Sequence, residues 1–124
     1  MNTATSRSAE FESRFISFAA EIVAISTKLP KTQQGRHISA QVLRSGTATA
    51  ANYGEARGAE SRADFIHKLG VVLKELNETA IWLELIRRTS LLADADLVAI
   101  IAESRELARI ITASIKTARG STSR

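Results

Sequence analysis

The chain of 124 residues has no cysteine, one proline and six glycines. Without cysteine there are no disulfides and no thiolate chemistry, and nothing marks an oxidising compartment. So little proline and glycine leaves too few turn formers for an all-β fold. No apolar run approaches the roughly 20 residues of a membrane span. The start, MNTATSRSAE, has no apolar stretch after its charge, so a secretory signal is not expected and the expected location is the cytoplasm. Walker-type phosphate loops, the zinc-protease histidine pair and a recognisable Ser-His-Asp or thiol arrangement are also missing. Gly54 and Gly58 follow no strand and so form no phosphate cradle.

What is present is helical patterning. Apolar residues make up 44% of the chain and charged residues 24%, ordinary for one soluble domain of this length. The stretch Ser61–Arg88 organises the rest. Phe65, Leu69, Val72, Leu76, Ala80, Leu83 and Ile86 recur at spacings of three and four and form one helical face. A second apolar set, Ile66, Leu73, Ile81 and Leu85, lies off that face, with Trp82 between the two. A helix apolar over so wide an arc is central to its bundle and is also covered by another subunit. Ser61 is the expected N-cap, with Asp64 three residues on in a variant of the capping box.

The flanking segments repeat the pattern. Phe11, Phe15, Phe18, Ile22, Ile25 and Leu29 form a heptad-like stripe that Pro30 ends, and Lys31 to Gly35 reads as a loop. In the second segment Ile38, Val42, Ser45, Thr49 and Asn52 share a face, with Leu43, Ala50 and Tyr53 beside it, and Gly58 is expected as the C′ glycine. Its middle, Ser45 to Ala51, consists almost wholly of small residues, which predicts a close crossing against a bulky neighbour. Leu97, Ile101, Ser104, Ala108, Ile111 and Ile115 form the fourth stripe, with Asp94 as N-cap and Lys116 and Arg119 suiting the far end of the dipole. The expected fold class is all-α, an antiparallel up-down-up-down four-helix bundle with helices at about 10–29, 36–57, 61–88 and 94–118. Residues 1–9 are expected to be a disordered tail, 10–118 the bundle, and 119–124 a polar tail.

Candidate chemistry is sparse. Asp64 and His67 superficially match the carboxylate-x-x-His element of di-iron bundles, but Gln34 stands where the second element would need a carboxylate before His37. No catalytic, metal or cofactor residues are assigned, and no small-molecule substrate. Seventeen Lys and Arg against thirteen Asp and Glu give +4, which permits nucleic acid as a partner without demanding it. The densest basic cluster is Arg87 with Arg88. If the second and third segments form a hairpin turning near Gly58, Arg44 falls opposite Lys74 and Glu75, Asn52 opposite Ile66 and His67, and Glu55 near Ala63 and Asp64. An Arg44–Glu75 ion pair is therefore expected, with Lys68 reaching Glu55 one turn away. Lys74–Glu78 and Glu84–Arg88 are expected as pairs along one helix. Trp82, half exposed between Ile81 and Leu85, is a candidate interface anchor.

The elements LRSGT, AANYxEA, AESRADFIHKL and LKExNETxxWLEL, which span Val42 to Leu85, closely resemble the small bacterial four helix bundle proteins related to those encoded in intervening sequences of 23S rRNA genes. Gly54 departs from the pattern, which has a larger, often basic residue there. The resemblance implies a left-handed bundle that assembles as a ring-like homopentamer with a central channel. It also implies distant similarity to the accessory protein of diversity-generating retroelements, a basic pentameric barrel that binds nucleic acid and a reverse transcriptase. Carried over by position, the motif residues are Arg44, Asn52, Glu55, Lys68, Lys74, Glu75, Glu78 and Trp82. The expected function is a non-catalytic oligomeric scaffold or binding protein that contacts RNA or a nucleoprotein through Arg44, Lys68, Lys74, Arg87, Arg88 and Trp82. In that reading Asn52, Glu55, Glu75 and Glu78 form a structural polar network. The alternative is an adaptor that binds a partner helix and no nucleic acid.

Overall fold

Each of the apolar stripes becomes the inner face of a helix. A computed structural model describes residues 3–120 and places them in α1 (Thr3–Lys28), α2 (Gln33–Arg57), α3 (Arg62–Arg88) and α4 (Asp94–Gly120), with no strand among the described residues. Each helix packs on its two neighbours in the cycle α1–α2–α3–α4, and α1 and α4 approach least closely. The chain is an antiparallel four-helix bundle whose core runs from Phe15, Phe18 and Ile22 through Val42, Leu69, Leu76 and Leu83 to Leu97, Leu107 and Ile111. No helix is long and apolar enough to cross a membrane.

Several boundaries move from their expected places. Helix α1 starts at Thr3, so it reaches back through most of the segment expected as a tail; Met1 and Asn2 lie outside the described residues. Helix α4 runs through Gly120, and the rest of the expected C-terminal tail lies outside as well. Helix α2 starts inside the expected loop because Thr32 caps it, its hydroxyl accepting from the Gly35 N–H at 3.1 Å. A Cβ on Gly35 would stand 2.0 Å from the Pro30 carbonyl oxygen, so only glycine permits this close turn after α1.

The expected C′ glycine is not used as one. Gly58 caps α2 at φ −95°, with its N–H donating to the Glu55 carbonyl. The left-handed position is taken by Ser90, at φ 57° after α3. There the Ser90 N–H donates to the Arg87 carbonyl and the Leu91 N–H to the Ile86 carbonyl, the bond pattern of a Schellman motif built without glycine. Ser61 caps α3 as expected, accepting from the Asp64 N–H at 3.0 Å, and Asp64 reaches back to the Glu60 N–H. Asp94 is the first residue of α4 rather than its cap, and with Asp96 it places negative charge in the first turn. The buried face of α4 is Leu97, Ile100, Ser104, Leu107 and Ile111, turned slightly from the stripe expected, so Ile101, Ala108 and Ile115 are only partly buried.

The small middle of α2 is helical, and its hydroxyls bond to the preceding turn: Thr47 donates to the Leu43 carbonyl and Thr49 to that of Gly46, both at 2.7 Å. It is also the close crossing. A Cβ on Gly46 would stand 2.6 and 2.8 Å from the Cγ2 and Cγ1 atoms of Ile22, itself fully buried on α1. Gly70, inside α3, has nothing within 4 Å of such a Cβ. The same substitution is therefore expected to have opposite signs at the two sites. Gly70→Ala should raise unfolding free energy by about 1 kcal/mol through helix propensity. Gly46→Ala should lower it by about 1–3 kcal/mol through overpacking. Urea unfolding followed by circular dichroism measures both, and a stabilising Gly46→Ala would show that the crossing is not close.

Candidate functional site

The polar residues of α2 and α3 meet because the small residues let the two helices approach. Deepest in their seam, the Ser45 and Thr79 hydroxyls lie 2.8 Å apart and both side chains are fully buried. Thr79 can also donate to the Glu75 carbonyl at 2.8 Å. This contact fixes which turns of the helices face each other, and the charged residues are arrayed outward from it.

Arg44 does reach Glu75, at 3.4 Å, but its closer partner is Glu78, one turn further along α3. Glu78 also accepts the Trp82 indole N–H at 3.1 Å, and the Trp82 ring meets the His37 ring edge-on at a centroid distance of 6.1 Å. The Arg44 guanidinium and then the indole hold the Glu78 carboxyl below the usual carboxylate range. Lys68 pairs with Glu55 at 3.0 Å, as expected. One expectation is corrected: Glu78 is taken by Arg44 and Trp82, and the Lys74–Glu78 pair is not among the ion pairs described. The Asn52 amide donates to the Ala48 carbonyl of its own helix at 2.8 Å. Asp64 is occupied in the α3 cap while His67 points to solvent, and no group of three His, Asp or Glu side chains converges among the described residues.

The six candidate contact residues thus separate. Arg44 and Lys68 are engaged in pairs between helices, and Trp82 is half-buried with its N–H satisfied. Lys74 is exposed on α3. Arg87 and Arg88 both bind Glu84, whose carboxyl is lowered to about 2 by the Arg87 and then the Arg88 hydrogen bond. One carboxylate is thus shared by two guanidiniums, with Asp94 at the start of α4 a second negative charge near Arg87.

Two further pairs were not legible beforehand. Arg14 on α1 grips Glu103 on α4 with two parallel bonds at 2.7 and 2.9 Å, and Arg57 on α2 holds Glu12 on α1. Each joins helices distant in sequence, so no spacing within one segment signals it. At Gly54, a Cβ would meet only the Glu12 carboxylate, at 3.4 Å, so the larger residue expected there would fit and face that acid.

The model of the 23S rRNA-intervening sequence protein family matches residues 8–113. The fold is similar to the crystal structure of a protein of unknown function from the S23 ribosomal protein family of Bacteroides thetaiotaomicron. That similarity has a TM-score of 0.80 and 41% identity, over 85% of this chain and 97% of that one. Comparison with curated proteins gives no significant match.

Removing Arg44 tests the polar network, with Trp82 as a built-in reporter. Arg44→Met is expected to shift the Trp82 fluorescence and to let Glu78 titrate nearer the ordinary carboxylate value. Because the folded-state value of Glu78 is lowered, its stabilising contribution is present above the ordinary carboxylate range and is lost as pH falls through the folded value. Wild type and Arg44→Met should therefore differ most in melting temperature near neutrality and converge in acid. Unchanged melting, fluorescence and assembly would discard the pair.

Proposed function

From the premise that this chain belongs to the 23S rRNA-intervening sequence protein family, we propose that it is a non-catalytic, self-assembling helical scaffold that contacts RNA through basic surface residues. The observation that carries the reading is the division of its charges. Arg44 and Lys68 of the α2–α3 seam are spent on bonds between helices, whereas Arg87 and Arg88 both bond Glu84 and the exposed Lys74 makes no ion pair among those described. The solved relative is described as a protein of unknown function, so no ligand comes to this chain from it. No catalytic residue is assigned, and the protein is placed in the cytoplasm as part of the same proposal.

Self-assembly is supported by large apolar side chains that one copy leaves uncovered. Ile16 and Val23 on α1 and Leu43 on α2 are exposed, and so are Ile81 and Leu85 on α3 beside Trp82. Between Ser45 and Gly54 the second helix carries no charge at all. Two unlike apolar patches suit a head-to-tail contact, the kind that closes into a ring, and five copies is the number the family resemblance implies. A ring repeats each modest basic patch, so weak phosphate contacts combine. The same uncharged face of α1 and α2 favours the alternative of a partner helix seated there, which pull-down after nuclease treatment would separate from RNA-dependent capture.

Size-exclusion chromatography with light scattering should give an oligomer for the wild type. Leu43→Glu should give a smaller species with unchanged helical circular dichroism. A monomeric wild type would remove the ring. Binding to a structured RNA should be detectable at low salt and fall steeply as salt rises, and undetectable binding at low salt would end the RNA reading.

A further inference from the structure

The four seams of the bundle are not equivalent in charge. Arg14–Glu103 bridges α1 to α4, Arg57–Glu12 bridges α2 to α1, and Arg44 and Lys68 bridge α2 to α3. Along the stretch where α3 residues 73–88 face α4 residues 94–116, none of the ion pairs described crosses between the helices; Glu84 bonds Arg87 and Arg88 within α3, and Glu106 bonds Arg109 within α4.

An open groove of about 650 Å³ follows this seam, lined by Arg87, Arg88 and Arg105, by the fewer carboxylates of Glu84 and Asp94, and by the aliphatic side chains of Val98 and Ile101. Val98 is 67% exposed, a large aliphatic surface left bare beside arginines. A second depression continues down the seam past Asn77, with Arg109 and Lys116 lining it. Arg105 and Lys116 make no ion pair among those described and are exposed. Positions 105, 109 and 116 fall on one flank of α4, roughly 6 and 10 Å apart along its axis at the helical rise. The result is a file of cations beside an apolar strip, running down one seam.

We propose that the α3–α4 seam is a binding track for a single-stranded segment of RNA, with phosphates on Arg88, Arg105, Arg109 and Lys116 and unstacked bases against Val98 and Ile101. This rests on the RNA reading above and locates it. Charge complementarity selects a polyanion, and a single strand fits better than a duplex because a duplex keeps its base faces stacked away from the aliphatic strip. Trp82 faces α2, its ring against His37, so the anchor assigned to neighbouring copies is on the other flank of α3 from the track.

The test is fluorescence anisotropy of the full chain with a labelled single-stranded RNA oligonucleotide, titrated at several salt concentrations. The double variant Arg105→Ala with Lys116→Ala is expected to weaken binding at least tenfold at low salt. It should also reduce the slope of log affinity against log salt by about 0.7 for each cation removed. Arg36→Ala, an exposed arginine on α2 away from the seam, should change neither quantity. Val98→Asp should weaken binding to the single strand, and the matching duplex should bind more weakly than the single strand. If the wild type binds RNA and the double variant binds it equally with the same salt slope, the seam is not the site, although the RNA reading survives. If the wild type binds no RNA at all, both fall. Equal affinity for polyglutamate would identify an acidic protein as the partner and overturn the track.

Discussion

Helices α1, α2 and α3 are held at close range by the charge-free middle of α2, and the rest of the structure follows from that contact. On one side Gly46 has no side chain, which lets Ile22 of α1 sit where a Cβ would be. On the other, Ser45 presents a hydroxyl that meets Thr79 of α3 in a fully buried contact. A hydroxyl pair buried in an apolar core is costly to leave unmatched, so this contact sets the axial register of the two helices. Once the register is set, Arg44 has no choice of partner. It lies between Glu75 and Glu78, and Glu78 in turn orients Trp82.

The same register decides which charges remain for anything else. Three seams of the bundle are bridged by acid–base pairs, and exposed pairs of this kind add little stability, well under about 1 kcal/mol in the usual case. Their larger consequence here is neutralisation: Arg14, Arg44, Arg57 and Lys68 are each held by an acid. The seam of α3 and α4 differs because Glu84 and Glu106 bond to bases on their own helices, while Asp94 stands near Arg87 without an ion pair among those described. Cations at Arg105 and Lys116 are therefore left facing solvent along a groove. Of the exposed large apolar residues only Val98 lines this groove; the others are Ile16, Val23 and Leu43 on α1 and α2, and Ile81 and Leu85 on α3.

The fold was legible because helical periodicity is a property of one segment at a time. Phe15, Phe18, Ile22 and Ile25 reveal a buried face without reference to any partner, and Ser61 and Pro30 mark boundaries through local backbone chemistry. Boundaries failed where a residue behaved against its preference. Ser90 adopts the left-handed conformation that Gly58 was expected to take, because two backbone hydrogen bonds at the end of α3 compensate for its strain. At the site, the short α2–α3 connection made Arg44–Glu75 and Lys68–Glu55 predictable, since a hairpin relates positions by simple counting. It could not say that Glu78 would outcompete Glu75, nor that Asn52 would turn back to Ala48, because those choices depend on rotation of each helix by a fraction of a turn.

By itself, then, the order of residues determined four helices, the inner faces of the first three, the short antiparallel connections and the family pattern between Val42 and Leu85, all written in local spacing. Only the tertiary structure decided that Arg14 grips Glu103, that Arg57 takes Glu12, and that Arg105, Arg109 and Lys116 line one groove with Arg87 and Arg88. Those relations join residues far apart in the chain, and they depend on how four cylinders turn about their axes as they pack, which no spacing within a single segment encodes.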